Sequence, residues 1–169
     1  MKQRSSTVLV QFGRTGEDKR VSSHIAPRDL IDDVVARIAR EYGAHPTKRH
    51  ARQGIYLDAG GMVMMDQPSI RVRLPGYCVN FKLEHAPYLA SYLRQRLDDE
   101  SRARTFGGKD CVTIYMRYVI AVIPRTDAEK VLAALKKHSD AGLRVGQARR
   151  AELVACGAIH PGNMQVGES

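Results

Sequence analysis

The sequence predicts an α+β fold: a mainly antiparallel sheet of about six strands with three to four helices, at least one sheet face covered by helices. Three observations carry that expectation. Short runs with alternating apolar residues follow one another between turn signals, as in residues 70–74 and 77–83 on either side of Pro75-Gly76. Other stretches repeat apolar residues at helical spacing, as in Leu30, Ile31, Val34, Val35 and Ile38. The chain of 169 residues is 43% hydrophobic and 27% charged, which is ordinary globular usage. A chain of that length buries roughly two-thirds of its unfolded surface, so it needs neither disulfides nor metal to fold.

Taken in order, residues 7–12 alternate with Val8, Val10 and Phe12 on one side and read as a first strand. Gly13 to Ser23 is polar and reads as a connection. Pro27 suits a first helical turn and Gly43 a C-terminal cap, which places a helix over 27–42. Residues 45–53 read as a charged loop. Ile55-Tyr56-Leu57 and Met62-Val63-Met64-Met65 flank Asp58-Ala59-Gly60-Gly61, a hairpin signal. Across Pro75-Gly76 a two-residue turn pairs Leu74 with Tyr77, Val72 with Val79 and Ile70 with Phe81, all apolar. The opposite face then carries Arg71, Arg73, Cys78, Asn80 and Lys82.

Pro87 opens a second helix with Tyr88, Leu89, Tyr92, Leu93 and Leu97 as its stripe, and Gly107-Gly108 breaks the chain. Residues 111–123 read as one long central strand. Thr126-Asp127-Ala128-Glu129 matches a capping box, starting a third helix that ends near Gly142. A fourth short helix over 147–156 follows. Residues 1–157 are thus expected as one domain, with 158–169 a flexible tail.

Function has to be read from charge and from missing chemistry. No Gly-x-Gly-x-x-Gly, His-Glu-x-x-His or Gly-x-Ser-x-Gly motif occurs, and Gly13-Arg14-Thr15-Gly16 lacks the spacing of a phosphate loop. His45 and His50 are five apart, which misses the spacing that places two ligands on one helical face. The carboxylates Asp32-Asp33 fall on the solvent side of their helix, a surface ion-pair pattern with Arg37. Few acids fall on the strands, so a two-metal site is hard to assemble. Cys78, Cys111 and Cys156 show no Cys-x-x-Cys spacing and read as reduced thiols in a cytoplasmic, reducing compartment. Cys78 is the best placed of the three for a reactive thiol. Neither cofactor nor metal is implied, and no apolar stretch approaches the roughly 18 residues of a membrane span.

The positive features remain. The chain holds 27 Lys+Arg against 18 Asp+Glu, a net charge of +9. Nineteen of the 27 are Arg, whose planar fork suits phosphates, although Arg-rich coding would give the same count. The excess concentrates in Lys48, Arg49 and Arg52, in Arg71, Arg73 and Lys82, and in Arg149 and Arg150 near the end. Arg117 and the stacking candidate Tyr115 join the sheet-face group if their strand is its neighbour. A helix-turn-helix over the third and fourth helices is disfavoured by its long connection. The reading is a non-catalytic protein that contacts the phosphate backbone of DNA or RNA through a basic sheet face and the Lys48–Arg52 loop. The alternative is an accessory or inhibitory module docking an acidic protein surface; a small enzyme with an unrecognised site is third. No membrane partner is expected, and homodimerisation is compatible with the composition.

Overall fold

The computed structural model describes residues 6–14, 17–57 and 67–164. The hairpin expected around Asp58-Ala59-Gly60-Gly61, and Thr15-Gly16, lie outside them. Among the described residues the order is β1 (Thr7–Arg14), β2 (Glu17–Pro27), α1 (Ile31–Tyr42), β3 (Ala44–Arg52), β4 (Ile55–Tyr56), β5 (Ser69–Leu74) and β6 (Tyr77–Lys82). It continues with α2 (Ala86–Asp98), β7 (Arg104–Phe106), β8 (Lys109–Tyr115), β9 (Ile120–Pro124) and α3 (Arg125–Ala155).

Six strands form one sheet in the order β3-β1-β2-β9-β8-β7, and three form a second in the order β4-β6-β5. The expectation of a mainly antiparallel sheet is corrected: both sheets are mixed, because β2–β9 and β4–β6 pair in parallel. Hairpins legible in sequence are antiparallel by construction. The large sheet, however, joins two such units that are remote in the chain, and they meet along β2 and β9.

Both faces of the large sheet are covered. On one, α1 lays Ile31, Val34 and Ile38 against Val8, Val10, Phe12, Ala26 and Val122. On the other, α2, α3 and the small sheet enclose Leu9, Ile25, Val112, Ile114 and Ile123. Each such side chain contributes about 1.5–3 kcal/mol when fully buried. The α3 face is tied to the small sheet by a buried bond from the Tyr77 hydroxyl to Asp127 Oδ2, 2.7 Å long. Burial and that carboxylate push the Tyr77 phenol far above its ordinary pKa, so it stays a neutral donor.

Several element boundaries differ from the sequence expectation for identifiable reasons. The polar stretch before Ser23 is strand β2, not a connection; β9 pairs only with His24 and Ile25, so the earlier residues of β2 have β1 as their partner and need no apolar pattern. Helix α1 begins at Ile31, because Pro27 ends β2 opposite Thr7. Gly43 caps it in the left-handed region, φ 58°, as expected. Residues 111–123 divide into β8 and β9 at a turn where the Met116 amide donates to the Val119 carbonyl, 2.9 Å. Gly107 and Gly108, φ 54° and 70°, form the β7–β8 turn, whose two positive φ values only glycine adopts readily.

The expected third and fourth helices are one. Helix α3 runs 31 residues, about 46 Å, through Gly142. That glycine is not a cap: a methyl group there would overlap the Leu83 carbonyl oxygen, so the position is glycine for close approach. The capping box is absent too. Pro124 occupies the N-cap position with no side-chain cap, and Asp127 serves Tyr77 instead.

Candidate nucleic-acid interface

Residues 44–52 form an edge strand rather than a loop. Eight of the nine are exposed, so there is no apolar alternation to betray a strand. The register places Arg49 beside Val10, on the α1 face, where it meets Asp32 at 3.5 Å. Lys48 lies beside Gln11 and Arg52 beside Thr7, which puts both on the opposite face. The strand thus turns cations to both sides and carries no acid of its own.

The β5–β6 hairpin has the predicted register, with Leu74, Val72 and Ile70 opposite Tyr77, Val79 and Phe81. Tyr77, Val79 and Phe81 are buried, which turns Arg71 and Arg73 outward, and both are exposed. Arg71 Nε donates to Asn80 Oδ1 at 3.0 Å. The expected open platform is bounded beside β6, because the chain leaving β3 continues there as β4, the third strand of the small sheet. The Cys78 thiol donates to the Gln53 carbonyl, 3.3 Å, and Leu57 N donates to Asn80 O, 3.0 Å. A side chain at Gly54 would strike Cys78 and Asn80 within 3 Å. Two residues therefore carry the backbone from Arg52 onto Cys78, whose strand partner is Arg73. Arg52 precedes this contact, and Arg71 and Arg73 lie on the far side of β6, paired with Asn80 and Cys78. Lys48 shares the Arg52 face of β3, whereas Arg49 turns to the α1 face.

The other predicted residues lie elsewhere. β8 belongs to the large sheet, so Tyr115 and Arg117 are not neighbours of Arg71 and Arg73. Tyr115 instead shares Arg96 with Tyr92: the guanidinium lies 5.0 Å from one ring centre and 5.1 Å from the other. Arg117 lies over Tyr118. Lys82 and Arg149 line a notch against α3, where Arg149 is bonded to Glu84. Arg150 is exposed on α3, in the single helix that replaces any helix-turn-helix. The thiols are unpaired by disulfides, and burial pushes Cys111 up to about 11. Among the described residues no group of three or more His, Cys, Asp or Glu side chains is positioned to hold a metal. No described helix is long and apolar enough to cross a membrane.

One concave site escaped the sequence reading. Helix α1 covers β1 and β2 but leaves a cleft of about 250 Å³ above β8 and β9. Val34 and Ile38 wall it on the helix side, and Ile120 and Val122 form its apolar floor. Ser22 and His24 alternate on β2 and enter side by side, with Ser22 Oγ 3.3 Å from His24 Nδ1. At the rim, Glu41 accepts from Arg37 Nε at 2.6 Å and meets Arg104 at 3.7 Å, while Arg37 lies over the Phe106 ring. His24 was hidden because β2 was not recognised as a strand. The spacing of Arg37 and Glu41 was visible, but not the arrival of Arg104 from β7.

No protein-family model, curated protein or solved structure matches this chain.

Proposed function

We propose that this protein binds nucleic acid, without catalysis, through phosphate contacts made by the β3 edge and the outer strand of the β5–β6 hairpin. The observation that carries the reading is the exposed, acid-free edge strand bearing Lys48, Arg49 and Arg52, joined by Gln53-Gly54 to the small sheet whose outer strand bears the exposed Arg71 and Arg73. Cations gathered on one surface release counterions from phosphates together, which provides affinity without base-specific contacts. Arg49 contributes least, since Asp32 is within reach.

Salt dependence tests the reading. With about four phosphate contacts on duplex DNA, log K falls against log salt with a slope near −3.6. Anisotropy titrations with duplex DNA, single-stranded DNA and RNA at two or more salt concentrations measure it. Absence of binding at low salt, or saturable binding indifferent to salt, overturns the reading.

A second reading rests on the edge itself. The outer side of β3 offers backbone donors and acceptors, which suits an acidic extended peptide adding a strand. Binding of an acidic peptide, with no binding of any nucleic-acid probe, would select it.

A further inference from the structure

We propose that the cleft between α1 and β8–β9 is a binding site for a small aromatic carboxylate. It is a different surface from the cationic strip and stands independently of the nucleic-acid reading.

Size, wall chemistry and charge each narrow the ligand. A cavity of about 150 Å³ holds benzene, so about 250 Å³ takes one ring with a short substituent and excludes larger polycyclic bodies. Much of the lining is apolar, from Val34 and Ile38 of α1, Ile120 and Val122 of β9 and the Phe106 ring, and Thr113 adds a hydroxyl. The imidazole and the charged groups stand in two places. On the floor, His24 is 6% exposed, and burial lowers its pKa to about 4. At neutral pH it therefore offers an uncharged imidazole beside the Ser22 hydroxyl. At the rim stand two guanidiniums and one carboxylate, an excess of one positive charge.

Glu41 is held below its ordinary pKa, first by the Arg37 hydrogen bond, so it stays ionised and engaged. Arg37 is committed to Glu41 and to the Phe106 face. Arg104 contacts Glu41 only at 3.7 Å and keeps donors for a second carboxylate. A cationic ligand would have to compete with two arginines for the one acid. An anionic ligand meets a donor fork already at the mouth, and its ring passes inward over the apolar floor.

Benzoate, benzylamine and benzyl alcohol test this, because they share a ring and differ in charge. Proton NMR of the full chain at pH 7.5 follows during titration the His24 ring and the ring of Tyr115, which also lines the cleft. Benzoate is expected to shift both saturably, with a dissociation constant on the order of 1 mM, and to bind at least tenfold more tightly than benzylamine. Arg104→Ala, an exposed position, should weaken benzoate about tenfold and leave benzyl alcohol unchanged. Ile120→Trp should block all three; if it does not fold, Val122→Phe serves the same purpose. Equal binding of benzylamine and benzoate overturns the proposal, as does an unshifted His24 ring or an Arg104→Ala variant that binds benzoate normally.

Discussion

His24 and Tyr77 are buried polar side chains whose consequences can be measured one residue at a time. In the unfolded chain a histidine titrates near 6.5, whereas burial holds His24 near 4 in the folded protein. Between those values the unfolded chain takes up a proton that the folded chain does not. Its contribution to stability is therefore intact above about pH 6.5, declines as the pH falls towards 4, and is constant below that. The difference corresponds to about 3 kcal/mol. Urea midpoints from pH 7.5 to 4.5 should fall accordingly in the parent protein, and His24→Gln should remove most of that decline; a parallel decline in the variant rejects the assignment. Tyr77→Phe leaves the Asp127 carboxylate without its hydroxyl donor, with Lys130 at 3.8 Å as the remaining partner. A loss of about 1–3 kcal/mol by the same measurement is expected, with nucleic-acid affinity unchanged, since both side chains are buried in the core, on the face of the hairpin opposite Arg71 and Arg73.

At the scale of elements, the hairpin β5–β6 was legible because one face is core: Tyr77, Val79 and Phe81 each demand an apolar partner, and only one register supplies all three. The α1 stripe and its Gly43 cap were legible for the same reason. What was missed shares the opposite property. β3 is exposed on both faces, and β2 beyond His24 lacks a second neighbour, so neither shows a pattern a reader could use. Gly142 shows how one residue type can mislead. Glycine ends helices often, yet here it lies inside α3 because the Leu83 carbonyl presses against it. Gly142→Ala weighs two opposed effects. Alanine favours a helix by about 1 kcal/mol over glycine, but the added methyl must displace backbone, which typically costs 1–3 kcal/mol. Displacement should win, lowering the thermal midpoint by several degrees; a rise would mean that α3 and the Leu83 turn separate more easily than their packing suggests.

For the molecule as a whole, charge was legible in amount and in sequence clusters but not in arrangement. The ten residues singled out from sequence do not form one surface. Lys48 and Arg52, on one face of β3, and Arg71 and Arg73, on the outer face of the hairpin reached through Gln53-Gly54, make up the proposed strip, while Arg49 turns to the α1 face. Tyr115 ends β8 of the other sheet, Arg117 lies in the turn that follows it, and Arg149 is bonded to Glu84. This division gives the binding proposal its sharpest consequence. Deleting one cation that neutralises a phosphate should flatten the salt slope on duplex DNA by about 0.9. Arg71→Ala/Arg73→Ala should therefore flatten it by roughly two, and Lys48→Ala/Arg52→Ala by a similar amount. All four side chains are exposed, and of the four changes Arg71→Ala, which removes the donor to the buried Asn80 Oδ1, should lower the thermal midpoint most. The quadruple variant should be nearly insensitive to salt. Arg149→Ala removes the same formal charge from a residue already neutralised at home, and its slope should match the parent's. If binding depended only on net charge, Arg149→Ala would flatten the slope as much as Arg71→Ala alone, and the strip would lose its claim to be the interface.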